Sequence, residues 1–391
     1  MTILIKNATI YLEDSILQDG YILIDGEIIK EIGPAHQAPE QADEVLTIAQ
    51  NEVVVPGFID MHIHGAGGSD VMDGTMDALN CMANTLPKEG TTSFLATTMT
   101  QSPENIEQAL QTVQQYSKSE NISGKADVIG VHLEGPFVNP SKAGAQPVQY
   151  IINPDPELFK KWSEISGHTI KQVTLAPEEP GGKELVELLT AADIIPSIGH
   201  TGATYEQAME AASEGLSQAT HLFNQMTGLH HRDIGAAGAS LMNEDIYAEI
   251  IVDGIHVSPE MVNLALKLKG VDRTILITDA MRAKGLSDGT YDLGGQDVFV
   301  KGKEARLADG ALAGSILKMN DALKNMMEFT GCSLRDAVQM AAVNPAKQLN
   351  IYDRKGSIAA GKEADIVILD EDCQVRATIC RGKIAYRGES K

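Results

Sequence analysis

Cysteine is scarce in this sequence. The chain has four cysteines in 391 residues, and no two of them form a C-x-x-C pair. The sequence therefore predicts neither a disulfide framework nor a thiolate zinc site. Together with the missing leader described below, this scarcity leads us to expect a reducing, cytoplasmic compartment.

Positive charge is also in short supply. Lys and Arg number 31 against 54 Asp and Glu, which gives a formal net charge of -23. Because such a surface repels polyanions, it argues against nucleic acids and anionic membrane surfaces as partners. An anionic substrate would have to be held by a few local positive groups.

Long apolar runs and a glycine-rich nucleotide loop are missing as well. No apolar run approaches the length of a membrane span, and the first residues lack the charged start and cleavage region of a signal peptide. The fingerprint G-x-G-x-x-G, normal in the first turn of a doubly wound sheet, does not occur. We therefore expect no membrane segment, and a doubly wound sheet is only the second choice of fold.

Both ends of the chain have the pattern of short β-strands. Residues 2–50 contain alternating or continuous apolar runs separated by Asp-Gly turns, and the C-terminal stretch ADIVILDEDCQVRATICRGKIAYRG is similar. Neither segment is long enough for a core of its own. We therefore expect residues 1–53 and 358–391 to pair in one small β domain.

The middle of the chain, residues 54–357, alternates strand-like runs with helical patterns. Helices are predicted over 103–116, 156–165, 182–192 and 204–214. Eight strand-then-helix units predict an α/β fold with a closed (β/α)8 barrel. The strand-like runs are VVPGFID, TTSFLATTM, DVIGVHLEG, QVTLAPE, IIPSIGH, QATHLF, YAEIIVDG and RTILITDA.

Histidines collect at the ends of these predicted strands, which is where a barrel of this kind carries its chemistry. One histidine at such a position is most often structural, but packing does not readily explain six on one rim. The six, out of ten in the chain, are His62, His64, His132, His200, His221 and His256.

The pattern around these histidines favours a metal centre. Residues i and i+2 of a strand face the same way, so His62 and His64 point together and can bind a divalent cation. Glu134 and Asp279 end apolar strands, where an isolated carboxylate is costly unless it is paired or bound to a metal. Four histidines with these two carboxylates suit Zn, Fe, Mn or Co. His132 lies one step further back, and we assign it a supporting or packing role.

Longer motifs around these residues resemble the amidohydrolase superfamily and, within it, the N-acetylglucosamine-6-phosphate deacetylases. The segment similar to the superfamily's metal signature is PGFIDMHIHG, and the resemblance extends from near residue 2 to about residue 388. The motifs that resemble the deacetylases are HLEGPFVNPSKAGAQ, GHTGATYEQAMEA, THLFNQMTGLHHR, VDGIHVSP, LITDAM and LAGS.

The resemblance implies a (β/α)8 TIM barrel with a small β-sandwich domain built from both termini. It also implies hydrolysis of the acetamide of N-acetylglucosamine 6-phosphate to glucosamine 6-phosphate and acetate, in amino-sugar catabolism and cell-wall sugar recycling. One alternative is a dihydroorotase-like or dipeptidase-like hydrolase, but those typically have a carboxylated lysine where this chain has Glu134. Another is a non-catalytic metal-dependent assembly protein, which should have lost Asp279 or a ligand.

Two divalent cations per subunit, bridged by Glu134, are a further implication of the resemblance, with Asp279 as the catalytic carboxylate. The histidine pair of the first strand matches a metal site that some members lack. The implied metal ligands are His62, His64, Glu134, His200, His221 and Asp279.

The resemblance also implies substrate contacts in several loops. At Gln146 some members have His, and a Gln can donate a hydrogen bond but carries no charge. Arg232 matches an arginine that reaches into the neighbouring subunit's site. We therefore expect a homodimer in which Arg232 binds the substrate phosphate in trans. The implied substrate contacts are Ala145, Gln146, Asn224, Gln225, Arg232, His256, Leu312, Ala313, Gly314 and Ser315.

Overall fold

The computed structural model describes residues 1–388. The N-terminal segment consists of strands, as the alternating apolar pattern predicts, and many of its apolar side chains are buried in one cluster with those of the C-terminal segment. In chain order the strands are β1 (Thr2–Tyr11), β2 (Ile16–Asp25), β3 (Ile28–Pro34), β4 (Glu44–Thr47) and β5 (Glu52–Pro56).

The next part of the chain forms the barrel. Eight of its strands make one parallel sheet, and β7 and β8 form a separate short pair. The strands are β6 (Phe58–Ile63), β7 (Gly65–Ala66), β8 (Ser69–Asp70), β9 (Thr91–Thr98), β10 (Asp127–Glu134), β11 (Ile170–Leu175), β12 (Ile195–Ile198), β13 (Gln218–Ala219), β14 (Tyr247–Ile251) and β15 (Thr274–Ile277).

The parallel sheet closes on itself. Its order follows the chain, β6, β9, β10, β11, β12, β13, β14 and β15. Beyond the end of β15, the Asp279 amide donates to the His62 carbonyl at 2.8 Å, and the His64 amide donates to the Ala280 carbonyl at 2.9 Å. These bonds join the last strand to the first, so the predicted closed barrel is confirmed and the doubly wound alternative is wrong.

Helices follow the barrel strands and cover them on the outside. The four predicted helices are present with nearly the expected bounds, and three begin at side-chain caps, Ser102, Asp155 and Thr204. The helices are α1 (Met76–Thr85), α2 (Pro103–Ser119), α3 (Pro156–Ile165), α4 (Gly182–Ala191), α5 (Tyr205–Ser213), α6 (Gly235–Met242), α7 (Pro259–Lys269), α8 (Met319–Thr330), α9 (Leu334–Val338) and α10 (Asn344–Gln348).

A three-stranded antiparallel insertion separates the last barrel strand from α8. It consists of β16 (Gly289–Leu293), β17 (Gln296–Lys301) and β18 (Glu304–Arg306). Leu293 and Val298 belong to a small apolar cluster with Met99, which follows β9 at the mouth of the barrel. The insertion therefore packs beside the end of the barrel where the predicted ligands lie.

The C-terminal strands are β19 (Ile366–Asp370), β20 (Val375–Cys380) and β21 (Lys383–Arg387). They join the N-terminal strands in one eight-stranded sheet, in which β19 lies antiparallel to β5. Both termini thus build the small β domain, as predicted. Strand β5 ends at Pro56, beyond the expected domain boundary at residue 53. The N-terminal part of the small β domain is therefore slightly longer than expected. The last residues of the expected C-terminal part, 389–391, lie outside the described residues.

None of the helices within residues 1–388 is both long enough and apolar enough to cross a membrane.

Candidate active site

The first and third barrel strands supply three predicted ligands. His62 is the next-to-last residue of β6, His64 follows the end of that strand, and Glu134 is the last residue of β10. The alternation of the strand turns the two histidines to one side, with ring centroids 5.3 Å apart. All three side chains are buried, so they meet inside the mouth of the barrel.

The other three predicted ligands share an unusual backbone conformation. His200, His221 and Asp279 each lie two residues beyond the end of β12, β13 or β15. Their φ angles are +47°, +31° and +47°, in a region that residues other than glycine seldom adopt. Such conformations cost about 1–3 kcal/mol each and occur mainly at functional sites. Here they mark the points at which the chain leaves the strands beside the centre.

The six side chains converge in two adjoining groups, and within each group the ligand atoms all lie within 4.8 Å of one another. We refer to the two sets as the histidine-pair group, His62, His64 and Asp279, and the glutamate group, Glu134, His200 and His221.

Glu134 lies between the two groups. Its Oε1 atom is 3.4 Å from the Nε2 atom of His200 and 3.2 Å from that of His221. The same oxygen lies 3.3 Å from His62 Nε2, and Oε2 lies 3.3 Å from His64 Nε2. One carboxylate therefore faces all four imidazoles, which is the position that a bridging ligand needs.

The arrangement fits divalent cations. Ligand atoms about 2.1 Å from one ion at tetrahedral angles are about 3.4 Å apart, close to the separations around Glu134. His62 Nε2 is buried and has no hydrogen-bond partner among the described residues. His200 donates from Nδ1 to the Lys142 carbonyl, and its Nε2 atom lies 3.1 Å from His221 Nε2. A cation would satisfy these facing nitrogen lone pairs.

Electrostatics in the centre also favour positive charge. Burial opposes ionisation of the carboxylates, but the charge of His62 lowers the pKa of Glu134 well below its usual range. Burial likewise opposes ionisation of Asp279, but the charge of His62 lowers its pKa to about 2. Burial disfavours the charged form of His64, yet hydrogen bonds with Asp279 and Glu134 raise its pKa to about 10. The two ionised carboxylates thus keep the neighbouring imidazoles protonated. A divalent cation that bound here would displace those protons.

His132 lies behind the centre, as predicted. Its ring packs edge-on against His62 at a centroid distance of 4.5 Å, and its Nε2 atom lies 2.7 Å from Thr174 Oγ1. Complete burial, followed by the charge of His62, lowers the pKa of His132 to about 3. The ring is therefore neutral and suited to support His62 rather than to exchange protons.

A cavity of about 230 Å³ opens above the two groups. His64, Glu134 and Asp279 form part of its floor, and Met99 and Leu293 contribute apolar wall. Seven of the predicted substrate contacts line it, namely Ala145, Gln146, Asn224, Gln225, His256, Leu312 and Gly314.

Three predicted substrate contacts do not line this cavity. Ala313 is buried in the apolar cluster beside the insertion, and Ser315 is buried with its hydroxyl donating to the Thr278 carbonyl at 2.5 Å. Arg232 is exposed in the loop before α6, where its Nη1 atom lies 2.7 Å from His231 Nε2. Ala313 and Ser315 flank Gly314, which does line the cavity, whereas Arg232 lies outside it.

His256 and Gln146 are both fixed by hydrogen bonds. The His256 Nδ1 atom lies 2.6 Å from Asp253 Oδ2, which leaves Nε2 available to the cavity. Burial opposes the charged ring, but the hydrogen bond with Asp253 raises the pKa of His256. Gln146 donates to Glu134 Oε2 at 2.8 Å and accepts from the Thr100 amide at 2.8 Å. Gln146 therefore contacts a predicted metal ligand as well as the cavity.

Several side chains of the site were not identified from the sequence. Met99, Leu293 and Ala311 line the cavity, but an apolar residue in a loop carries no distinguishing signal. Glu249 is fully buried in β14 and lies 3.1 Å from His62 Nδ1. A carboxylate within the apolar run YAEIIV was a usable signal, because a buried charge requires partners.

Comparison with known proteins places these features in a family. The amidohydrolase family model matches residues 53–385. An N-acetylglucosamine-6-phosphate deacetylase of Bacillus subtilis (strain 168) is 47% identical over 386 residues, covering 98% of this chain and 97% of the relative. An N-acetylgalactosamine-6-phosphate deacetylase of Escherichia coli O157:H7 is 35% identical, covering 98% of this chain and all of the relative.

A solved structure is similar over nearly the whole chain. It is an aspartate-to-alanine variant of the N-acetyl-D-glucosamine-6-phosphate deacetylase of Mycobacterium smegmatis, in complex with N-acetyl-D-glucosamine-6-phosphate. It superimposes with a TM-score of 0.91 at 32% identity, covering 98% of this chain and 99% of that chain. The barrel fold and the position of the predicted ligands at the strand ends agree with the family match. The chain belongs to the amidohydrolase family.

Proposed function

We propose that this chain hydrolyses the acetamide of N-acetyl-D-glucosamine 6-phosphate, giving D-glucosamine 6-phosphate and acetate. The observation that carries the proposal is the placement of both ligand groups on the floor of a cavity lined by seven predicted substrate contacts. Near-full-length relatives named for this deacetylation support the choice of substrate. The role that follows is amino-sugar catabolism and cell-wall sugar recycling.

Two divalent cations per subunit, drawn from Zn, Fe, Mn and Co, are part of the proposal. The glutamate group would hold one and the histidine-pair group the other, with Glu134 shared between them. When bound, such cations supply Lewis acidity that makes water a better nucleophile and polarises the amide carbonyl.

Asp279 moves the proton in this proposal. Its carboxylate is ionised at neutral pH and is partly exposed to the cavity, so it can take the proton of the attacking water. It then delivers that proton to the sugar nitrogen as the C–N bond breaks. The Nε2 atom of His256, whose ring Asp253 orients, can hold a sugar hydroxyl or the developing negative charge.

The substrate phosphate needs a cation from elsewhere. Among the described residues, those lining the cavity include neither Lys nor Arg. We infer a homodimer in which Arg232 of one subunit binds the phosphate in the other subunit's site, since guanidinium suits phosphate well. Backbone amides near Asn224 and Gln225, which border the cavity, would hold the same phosphate in cis.

The reaction is expected in the cytoplasm. All four cysteines are free thiols, which suits a reducing compartment. A sugar phosphate is also charged and does not cross a bilayer unaided, so it is an internal metabolite.

Acetate release tests the proposed function. Purified enzyme loaded with metal would be assayed with N-acetylglucosamine 6-phosphate, unphosphorylated N-acetylglucosamine and N-acetylgalactosamine 6-phosphate at matched concentrations. The highest kcat/KM is expected for the first substrate, with loss of activity after chelation and recovery when metal is restored. No acetate release from either sugar phosphate would overturn the deacetylase assignment. Preference for the galactosamine derivative would overturn the choice of sugar.

A further inference from the structure

A carboxylate lies below the predicted metal centre without being one of its ligands. Glu249, in the middle of β14, is fully buried. Ionised carboxylates are rarely buried without compensation, because removing the charge from water is costly. The partners of Glu249 are two glutamine amides, one backbone amide and one imidazole, so its hydrogen bonds determine what it does.

One oxygen of this carboxylate is fixed by the interior of the barrel. Glu249 Oε1 accepts from Gln172 Nε2 at 2.7 Å and from Gln218 Nε2 at 2.6 Å. The Gln218 amide also lies 3.0 Å from Gln172 Oε1. These buried amides hold the carboxylate in one orientation and leave its second oxygen directed at the metal centre.

The second oxygen faces His62. Oε2 accepts from His62 Nδ1 at 3.1 Å and, more distantly, from the His221 amide at 3.3 Å. With its proton on Nδ1, His62 presents the lone pair of Nε2 toward the centre, where Glu134 Oε1 is 3.3 Å and Asp279 Oδ1 is 3.5 Å away. A carboxylate behind a ligating histidine fixes its tautomer, aligns its ring and increases its basicity.

The remaining imidazoles are held differently. His200 donates from Nδ1 to the backbone carbonyl of Lys142. The Nδ1 atoms of His64 and His221 have no hydrogen-bond partner among residues 1–388. Within the described part of the chain, Glu249 is therefore the one side chain that orients a predicted ligand of the centre through its outer ring nitrogen.

We propose that Glu249 is a positioning residue for the histidine-pair group, acting by holding His62 in the tautomer that binds metal. The inference rests on the proposed metal centre. Its consequence is that cation binding at the histidine-pair group depends on Glu249 more strongly than binding at the glutamate group. The test must therefore distinguish two binding steps and must not rely on activity alone.

Equilibrium dialysis against a series of free Zn²⁺ concentrations, with elemental analysis of the bound zinc, separates the two steps. The variants are Glu249→Ala, which removes the acceptor, and Glu249→Gln, which keeps the size and one acceptor. Gln172 and Gln218 both donate to Glu249 Oε1, so both must turn their amides to accept from the glutamine. Gln172 Nε2 can then donate to Gln218 Oε1, which lacks a hydrogen bond in the wild type. The control is Ser197→Ala, which removes a buried hydroxyl that bonds to Thr220 at 2.6 Å.

The wild type and the Ser197→Ala control are expected to bind two zinc ions. In Glu249→Ala, one of the two steps should weaken about 10–100-fold, while the other changes much less. Glu249→Gln should weaken the same step by a smaller factor. In a His62→Ala background, Glu249→Gln should have no further effect, which a general loss of packing would not reproduce.

The outcomes distinguish this inference from the proposed centre. Two unaltered binding steps in both Glu249 variants would overturn the positioning role while leaving the centre intact. Equal weakening of both steps would also overturn it, because that result indicates a structural role. If Glu249→Ala does not fold, Glu249→Gln decides by the same criteria. Failure of the wild type to bind zinc at all would overturn the metal centre itself, and the inference with it.

Discussion

At the scale of single residues, Asp279 is assigned two roles. It is a predicted ligand, with Oδ1 3.3 Å from His64 Nε2, and it is also the predicted proton acceptor at the cavity. Its low pKa, caused by the neighbouring imidazoles against the effect of burial, keeps it ionised. The side chain is therefore ionised in the neutral range, which is the form that can accept a proton.

Asp279→Asn should separate these two roles. The amide keeps the size of the side chain but cannot accept a proton, so turnover should fall by at least about 10²-fold. The glutamate group does not include Asp279 and should keep its cation. Turnover would be measured with bound metal determined on the same sample. Near-normal turnover of the loaded variant would show that another group is the base.

His62 gives a prediction about metal number. His62→Ala removes one of three ligands from the histidine-pair group and none from the glutamate group. Occupancy under saturating supply should fall from two cations per chain toward one. Elemental analysis of dialysed protein measures this. Finding at most one cation in the saturated wild type would contradict the two-metal proposal.

At this scale the sequence indicated which residues meet, but not how they are held. Histidines and carboxylates at strand ends were visible because polar residues interrupt apolar runs. The left-handed backbone at His200, His221 and Asp279 was not, because local residue type does not encode it and the surrounding packing imposes it. The bond from Gln146 to Glu134 likewise depends on a loop that returns to the centre.

At the scale of elements, the buried barrel strands could be predicted from the sequence and the partly exposed strands of the insertion could not. All eight barrel strands were identifiable, since buried parallel strands are continuous apolar runs. The insertion β16–β18 was not predicted. Its strands alternate buried and exposed residues over short lengths, as in the pattern of β17, and glycine and aspartate surround them. Such a sequence is typical of loops as much as of an exposed hairpin.

Lys269 at the end of α7 makes an element-scale prediction. Its Nζ atom donates to the backbone carbonyls of Ser240, at 2.8 Å, and Asn243 at the end of α6. Burial, with a smaller effect of Arg273, lowers its pKa from 10.5 to about 8. The unfolded chain therefore binds more protons than the folded chain between about pH 8 and 10.5, so this group makes stability rise with pH across that window.

Lys269→Met removes the titrating group, so its effect should change with pH. The free energy of unfolding of the wild type, minus that of the variant, should increase from pH 8 to pH 10.5. Urea unfolding of both proteins at matched metal content measures the difference, in which titrating groups remote from Lys269 cancel. A difference that is constant or falls across this range would contradict the assigned pKa shift.

At the scale of the whole molecule, one buried cation connects the barrel with the terminal sheet. Lys355 lies after α10, and its Nζ atom is 3.1 Å from Asp127 Oδ2 at the start of β10. It also lies 2.7 Å from Glu363 and 2.6 Å from Asp365, just before β19. Burial opposes its charge, but the carboxylates of Asp365 and Asp127 raise its pKa. The network joins two segments that are far apart in sequence.

Lys355→Met should destabilise the protein strongly. The substitution leaves the buried Asp365 carboxylate without the cation with which it is paired, and breaking such a pair typically costs about 3–5 kcal/mol. The matched control is Lys30→Met, because Lys30 makes an exposed pair with Asp25 at 2.9 Å, and the midpoint should not move measurably. Urea unfolding measures both. Similar midpoints for Lys355→Met and the wild type would show that the network does not stabilise the fold.

The molecule as a whole is acidic, and the positive group proposed for the substrate phosphate lies outside its cavity. Arg232→Ala should therefore raise KM for N-acetylglucosamine 6-phosphate far more than for the unphosphorylated sugar. This result would support phosphate binding without showing which subunit provides the arginine.

Mixed dimers decide that question. Arg232→Ala and Asp279→Asn subunits would be unfolded and reassembled together in equal amounts. Activity would be assayed at an N-acetylglucosamine 6-phosphate concentration far below the KM of the Arg232→Ala variant, where each variant alone is nearly inactive. Random pairing makes about half of the dimers mixed, and if Arg232 acts in trans one of their two sites is intact, which restores about a quarter of full activity. If Arg232 acts in cis, every site carries at least one defect and no activity returns. Mass spectrometry would establish that mixed dimers formed, and absence of recovery in their presence would contradict the trans arrangement while leaving the hydrolase function in place.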